Sequence, residues 1–317
     1  MLLLSQLNSE VAFNKLGKEC CLKEYLFTKN RKAICLTILA AVLWGTSFPA
    51  IRIGLRYVDA LLFVFLRFFV AFIVTLMILL VTRKVKFEVH ENKKLLIFLG
   101  LSNGVAYLLQ YLGMNYTSAA KASLFVNLTA VWVSLFSPKL INEHFGRKKA
   151  VGVILGLLGL FLVTTNLNFE ILSREQLVGD ILVISAGIVW SLFIIYNKKM
   201  VMNDKDIFQE IIFILLITLL PMLPFVLFSV NKLFFIPIEG WLSISYTAIF
   251  CWVIPYYLWL EGLKHISASN STILLLTEIL VATTIGILFL DEIFTLVMVI
   301  GGFLIFIAVV LASRQSN

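Results

Sequence analysis

Residues 107–145, YLLQYLGMNYTSAAKASLFVNLTAVWVSLFSPKLINEHF, are written a second time at residues 256–294, YYLWLEGLKHISASNSTILLLTEILVATTIGILFLDEIF. The two stretches align without a gap. Tyr107 meets Tyr256, Leu109 meets Leu258, Gly113 meets Gly262, Ser118 meets Ser267, Ala119 meets Ala268, Glu143 meets Glu292 and Phe145 meets Phe294. The identities are few, but the plan is shared: an apolar run, a Gly, a polar break, small residues, a longer apolar run, an acid and a Phe. An internal repeat decides the architecture before any other feature is weighed.

The chain around this repeat is written for a bilayer. Of its 317 residues 61% are hydrophobic and 14% charged, with mean hydropathy +0.99. A soluble domain is about 45–50% apolar and about 25% charged. The net charge of +8 therefore points to loop placement on a membrane protein and not to nucleic acid. The cysteines Cys20, Cys21, Cys35 and Cys251 form no metal-ligand spacing and read as reduced thiols.

Residues 1–32 read as a cytoplasmic tail, with no signal-peptide core or cleavage site. From Ala33 on, apolar runs approach the roughly 20 residues that cross a bilayer. The spans are 33–51, 59–82, 95–114, 118–140, 149–167, 178–199, 208–230, 240–262, 267–290 and 294–312. This predicts an all-α membrane protein of ten transmembrane helices. With the N-terminus inside, seventeen flanking Lys and Arg fall on the cytoplasmic side. Only Arg52, Arg56, Arg174 and Lys232 fall outside. The positive-inside rule then places both termini in the cytoplasm.

The repeat divides the chain into halves 33–167 and 178–312, each of five helices. Trp44 falls over Trp190, and Gly152 over Gly301. Five is odd, so the second half enters from the opposite face: the halves are inverted repeats. That architecture is typical of secondary transporters, with the substrate held near the midplane between the halves.

The stretches AAVLWGTSF, LRFFVA and QYLGMNYTSAAKASLFVNLTAVWVSLFSPKLINE, with the second copy LEGLKHISASNSTILLLTEILVATTIGILFLDE, resemble the EamA family of the drug/metabolite transporter superfamily. The resemblance spans residues 33–312. It implies transport of amino acids, other metabolites or drugs across a bacterial or archaeal plasma membrane. It also implies a Pro in the middle of the fourth and ninth helices. Ala130 and Ile279 hold those places here, so the kinks that Pro favours are not expected.

Candidate site residues follow from polarity at depth. Glu278 lies halfway through the ninth span, where a carboxylate is costly and usually faces a cavity or a partner. Hydrocarbon favours its neutral form, which suits a proton carrier or a receiver of cationic groups. Arg67, in the second span, pairs with Glu278, meets an anionic substrate or snorkels. On the third span Asn103, Tyr107, Gln110 and Met114 share one face, as do Ser123, Asn127, Ala130 and Ser134 on the fourth. Trp252, Tyr256 and Trp259 on the eighth span, with Trp44 and Trp190, complete an aromatic wall. Ordinary helix–helix packing competes as an explanation for all of these groups. Pro255 is expected to kink the eighth helix. Glu143 and Glu292 are read as capping or packing against the following helix.

There is no HExxH, GxSxG or phosphate-binding loop with GK[ST], and His90, His144 and His265 fall in loops. No enzyme, cofactor or metal site is therefore expected. The expectation is an exporter of small metabolites or amphiphilic compounds working by alternating access, with the bilayer, a small-molecule substrate and protons as partners. Glu278, Tyr107, Gln110, Asn127, Trp252, Tyr256, Trp44 and Trp190 line its cavity. A homo-oligomer and a non-transporting sensor that binds a partner stand as alternatives.

Overall fold

The computed structural model describes residues 28–82, 93–114, 116, 125–169, 177–202, 207–227, 229–289 and 295–314. Residues 1–27, His90, Asn115, Ser118, Ala119, Ser123 and Glu292 lie outside these. Among the described residues the chain is helical throughout, without a strand. Eight helices are long and apolar enough to cross a bilayer. They are α1 (Thr28–Ile51), α2 (Ala60–Val81), α3 (Lys93–Met114), α5 (Arg147–Thr165), α6 (Leu177–Val201), α7 (Ile207–Leu227), α8 (Ile238–Leu263) and α9 (Ala268–Ile285). Two shorter apolar helices, α4 (Phe125–Ile141) and α10 (Leu296–Leu311), fall at the remaining predicted spans.

Close packing rests on small residues, as expected where lipid removes a hydrophobic drive between helices. The seam between α5 and α10 shows it best. A Cβ added to Gly159 would lie 2.5 Å from the Gly301 carbonyl, and one added to Gly301 would lie 2.7 Å from that of Gly159. Gly152, one turn pair away, faces the Ala308 carbonyl. On the other side of the molecule α3 packs against α6 and α7. There Asn103 donates to the Thr218 hydroxyl at 3.0 Å, and that hydroxyl donates on to the Ile214 carbonyl.

α7 passes through a 3-10 turn at Leu220–Met222, and α1, α4 and α9 are each interrupted by a single non-helical residue. α1 breaks at Thr46, three residues before Pro49, which offers no N–H to the Gly45 carbonyl. α4 breaks at Leu128 and α9 at Leu276. At both places bonds to the residue three back stand among those to the fourth: Leu128 to Phe125, Val131 to Leu128, Leu276 to Ile273 and Ile279 to Leu276. The hydrogen-bond ladder is therefore interrupted at both places, although neither holds a Pro. Packing supplies one cause at α4, where the Thr129 hydroxyl sits between the carbonyls of Val126 (2.6 Å) and Gly187 (3.1 Å).

The turn between α8 and α9 is clamped by charge from elsewhere in the chain. Lys198, in the last turn of α6, donates to the carbonyls of Leu263 (2.6 Å) and Lys264 (3.2 Å), where a helix C-terminus welcomes a cation. Glu143, just beyond α4, accepts from the N–H groups of Ala268 (2.8 Å) and Ser269 (3.1 Å) and from Lys149 (3.1 Å). Glu143 is thus a cap, but of α9 and not of the helix that follows it; only its Lys149 bond reaches that helix.

Candidate transport site

The broken helices α4 and α9 face an aromatic centre built by α1, α2, α3, α6 and α8. Its rings form a continuous chain of edge-to-face, tilted and stacked pairs. Phe68 meets Tyr107 at 4.8 Å and Trp252 at 5.4 Å; Tyr107 meets Trp190 at 4.8 Å. Trp190 meets Phe193 at 5.4 Å, and Phe193 meets Tyr256 at 5.9 Å. Tyr256 in turn meets Trp252 at 4.6 Å and Trp259 at 5.8 Å, and Trp259 reaches Trp44 at 6.0 Å. Edge-to-face geometry of this kind holds rings in fixed orientations.

Polar handles fix the wall further. Trp190 Nε1 donates to Gln110 Oε1 at 3.4 Å, the Tyr256 hydroxyl to Asn197 Oδ1 at 2.8 Å, and Trp259 Nε1 to Ser271 Oγ at 2.7 Å. Trp252 and Tyr256 are each only 2% exposed and stand in the wall. Trp44, Tyr107, Gln110, Asn127 and Trp190 are half-buried. Glu278 is half-buried as well, at the start of the second piece of α9, two residues past the break. Its carboxylate has no hydrogen-bond or ion-pair partner among the described residues. Its backbone packs closely on α1: a Cβ added to Gly45 would lie 2.7 Å from the Glu278 carbonyl.

Arg67 departs from its expected placement. It neither pairs with Glu278 nor snorkels. It is 2% exposed, donates Nη2 to the Cys251 carbonyl at 3.0 Å, and lies over the rings of Tyr107 (5.6 Å) and Phe68 (5.9 Å). The Tyr111 hydroxyl sits beside the guanidinium without a well-formed hydrogen bond. Sequence reading puts Tyr107, Trp190, Trp252 and Tyr256 on stripes of three helices that wall one cavity; in the structure their rings join one contact chain. It missed Asn197, Ser271 and Phe193, since an Asn late in a helix or a Ser near a turn carries no distinctive signal.

A recess of about 450 Å³ lies at the turn between α1 and α2, away from the aromatic centre, lined by Arg56, Asp59 and Lys232, with Lys232 paired to Asp59. No group of three or more metal-ligating side chains occurs among the described residues.

Comparison with known proteins agrees with this architecture. The model of the EamA-like transporter family matches residues 31–165 and again 177–314. An uncharacterized transporter of Archaeoglobus fulgidus is 29% identical over 76% of this chain and 83% of its own. The uncharacterized transporter YoaV of Bacillus subtilis is 25% identical over 84% of this chain and 92% of its own. One protein of known crystal structure shares the fold with a TM-score of 0.73 at 18% identity, covering 90% of this chain and 97% of that one.

Proposed function

The chain belongs to the EamA-like transporter family, a family of transporters and not of enzymes, and we propose from this premise that it exports a small metabolite by alternating access. The observation that carries the reading is the pair of interrupted helices. α4 and α9 break beside Asn127 and Glu278, and Ser271 of α9 accepts from Trp259 of the aromatic centre. Discontinuous helices at the middle of the membrane are where secondary transporters hold substrate and coupling ion.

In this reading all ten apolar helices cross, as two inverted halves at 33–167 and 178–312, in a plasma membrane with both termini cytoplasmic. The α5–α10 seam supports the inversion. The register that sets Gly152 over Gly301 also sets Gly159 over Ala308. The contact of Gly152 with Ala308 then exchanges with that of Gly301 with Gly159, as a two-fold axis in the membrane plane requires.

Glu278 holds a cationic group of the substrate or carries the coupling proton, because it is an inner carboxylate without a partner among the described residues. Tyr107, Gln110, Asn127, Trp44 and Trp190 line the cavity, and Trp252 and Tyr256 back them. The test is uptake into liposomes of labelled amino acids and organic cations, with and without a pH gradient. Saturable uptake concentrated by the gradient, and lost in Glu278→Gln, is expected. Uptake that only equilibrates, unchanged in Glu278→Gln, overturns the coupling role.

A further inference from the structure

α8 is helical from end to end but not uniformly wound. A π-helical turn, Ile249–Val253, precedes the α-helical stretch Ile254–Leu263, and Pro255 follows at once. In a regular α-helix the Cys251 carbonyl accepts from the N–H of residue 255, and a proline has none. The neighbouring Ile254 N–H reaches back five residues to the Ile249 carbonyl. An orphaned carbonyl inside a bundle costs free energy comparable to a lost hydrogen bond. The missing donor comes from another helix: Arg67 of α2, at 3.0 Å.

Arg67 is an expensive choice for this task. It is buried, its Nε has no partner, and no acidic side chain pairs with it among the described residues. Its compensation is the charged hydrogen bond to Cys251 O and the faces of Tyr107 and Phe68. Phe68 in turn touches both Tyr107 and Trp252, the latter within the π turn. One guanidinium thus joins the wound-out turn of α8 to a ring of the aromatic centre on α3.

We propose that Arg67 is a positioning residue that replaces the hydrogen bond lost at Pro255 with a releasable one from a second helix, making α8 a hinge latched to Tyr107. A bond within one helix survives when helices slide; a bond between α2 and α8 does not. Its part in the transport cycle rests on the transporter reading. The latch itself does not, and it is tested without substrate.

Cys251 is buried in the π turn and serves as the reporter. With Cys20, Cys21 and Cys35 changed to Ser, the full-length protein is purified in detergent and its alkylation by N-ethylmaleimide is followed by mass spectrometry. Arg67→Gln is expected to speed labelling on the order of 10-fold, as one charged hydrogen bond ceases to oppose local opening. Adding Pro255→Ala, which restores an N–H for Cys251 O, is expected to bring the rate back near the parent's. Pro255→Ala alone labels no faster than the parent. Unchanged labelling in Arg67→Gln, or a double variant as fast as Arg67→Gln, overturns the proposal. If Arg67→Gln yields no folded protein, recovery of folded protein by Pro255→Ala is the expected result and failure to recover it overturns the proposal. Absence of transport by the parent would sink the transporter reading and leave this outcome untouched.

Discussion

Glu143 and Glu278 carry the same side chain at opposite extremes of provision. Glu143 lies just outside the membrane helices and accepts from two backbone N–H groups and one ammonium. Burial alone would raise its carboxyl, but hydrogen bonds from Ser269 and the charge and bond of Lys149 hold it below the ordinary value of 4.5. Glu278 lies halfway along α9, within the bundle, and has no partner among the described residues. A fold has every reason to furnish partners for a carboxylate it uses as a cap. One left bare beside a broken helix, where charge is dear, fits a group that meets its partner only in passing.

The sharpest way to break this contrast is to neutralise each acid. Glu278→Gln is expected to lower gradient-driven uptake by roughly 100-fold or more, if one carboxylate carries the coupling. The same variant should melt no lower than the parent in detergent, since nothing that holds the fold together is lost. A fall in melting temperature of many degrees would show that Glu278 is a structural member like Glu143.

Glu143→Ala should do the reverse. Loss of a helix cap and exposure of two buried donors cost about 1–3 kcal/mol. Melting temperature drops, while uptake per folded molecule stays near the parent's. A variant as stable as the parent removes Glu143 from the list of structural groups.

Acid sharpens the comparison at a smaller scale. Because the folded-state value of Glu143 is depressed, its contribution is complete above the ordinary carboxylate range and disappears as pH falls through the folded value. The stability gap between the parent and Glu143→Gln should therefore be widest near neutrality and narrow as pH falls below the ordinary value of 4.5 towards the depressed folded value. A gap that stays constant between pH 7 and pH 3 would mean that the carboxylate form is not what the fold uses.

The smallest effect belongs to Lys149→Met. It removes one of three donors in a pair that is partly shielded, with side chains 11% and 8% exposed. The expected loss is about 1 kcal/mol or less by melting, and it should shrink with added salt. A loss as large as that of Glu143→Ala would make the ion pair, and not the cap, the main element.

How much of this was legible in the sequence depends on the range of the interaction. Apolar spans are readable because hydropathy is summed over one continuous stretch; the starts of the fourth and tenth spans and the end of the ninth lie outside the described residues. Glu278 stood out because a charge in such a stretch is conspicuous without any neighbour. Arg67 was equally conspicuous but was given the wrong surroundings, since its partner is a backbone carbonyl that only Pro255, far along the chain, leaves in need. The breaks at Leu128 and Leu276 had no written sign. They arise without proline, and at α4 the hydroxyl of Thr129 bonds across to Gly187 of α6, a contact that no local pattern records.

The clamp on the α8–α9 turn has a consequence for how the molecule is made. Its charged donors and acceptors, Glu143 and Lys198, are synthesised before the helix ends they serve, at Leu263 to Ser269. During synthesis the earlier part of a chain takes shape first. The first helices therefore present a carboxylate and an ammonium at one membrane face as a prepared berth. When the late hairpin arrives from the ribosome, the bare N–H groups at the start of α9 find their acceptor already in place. A nascent chain halted before residue 263 would leave Lys198 without its two carbonyls and Glu143 with Lys149 as its one remaining donor of the three.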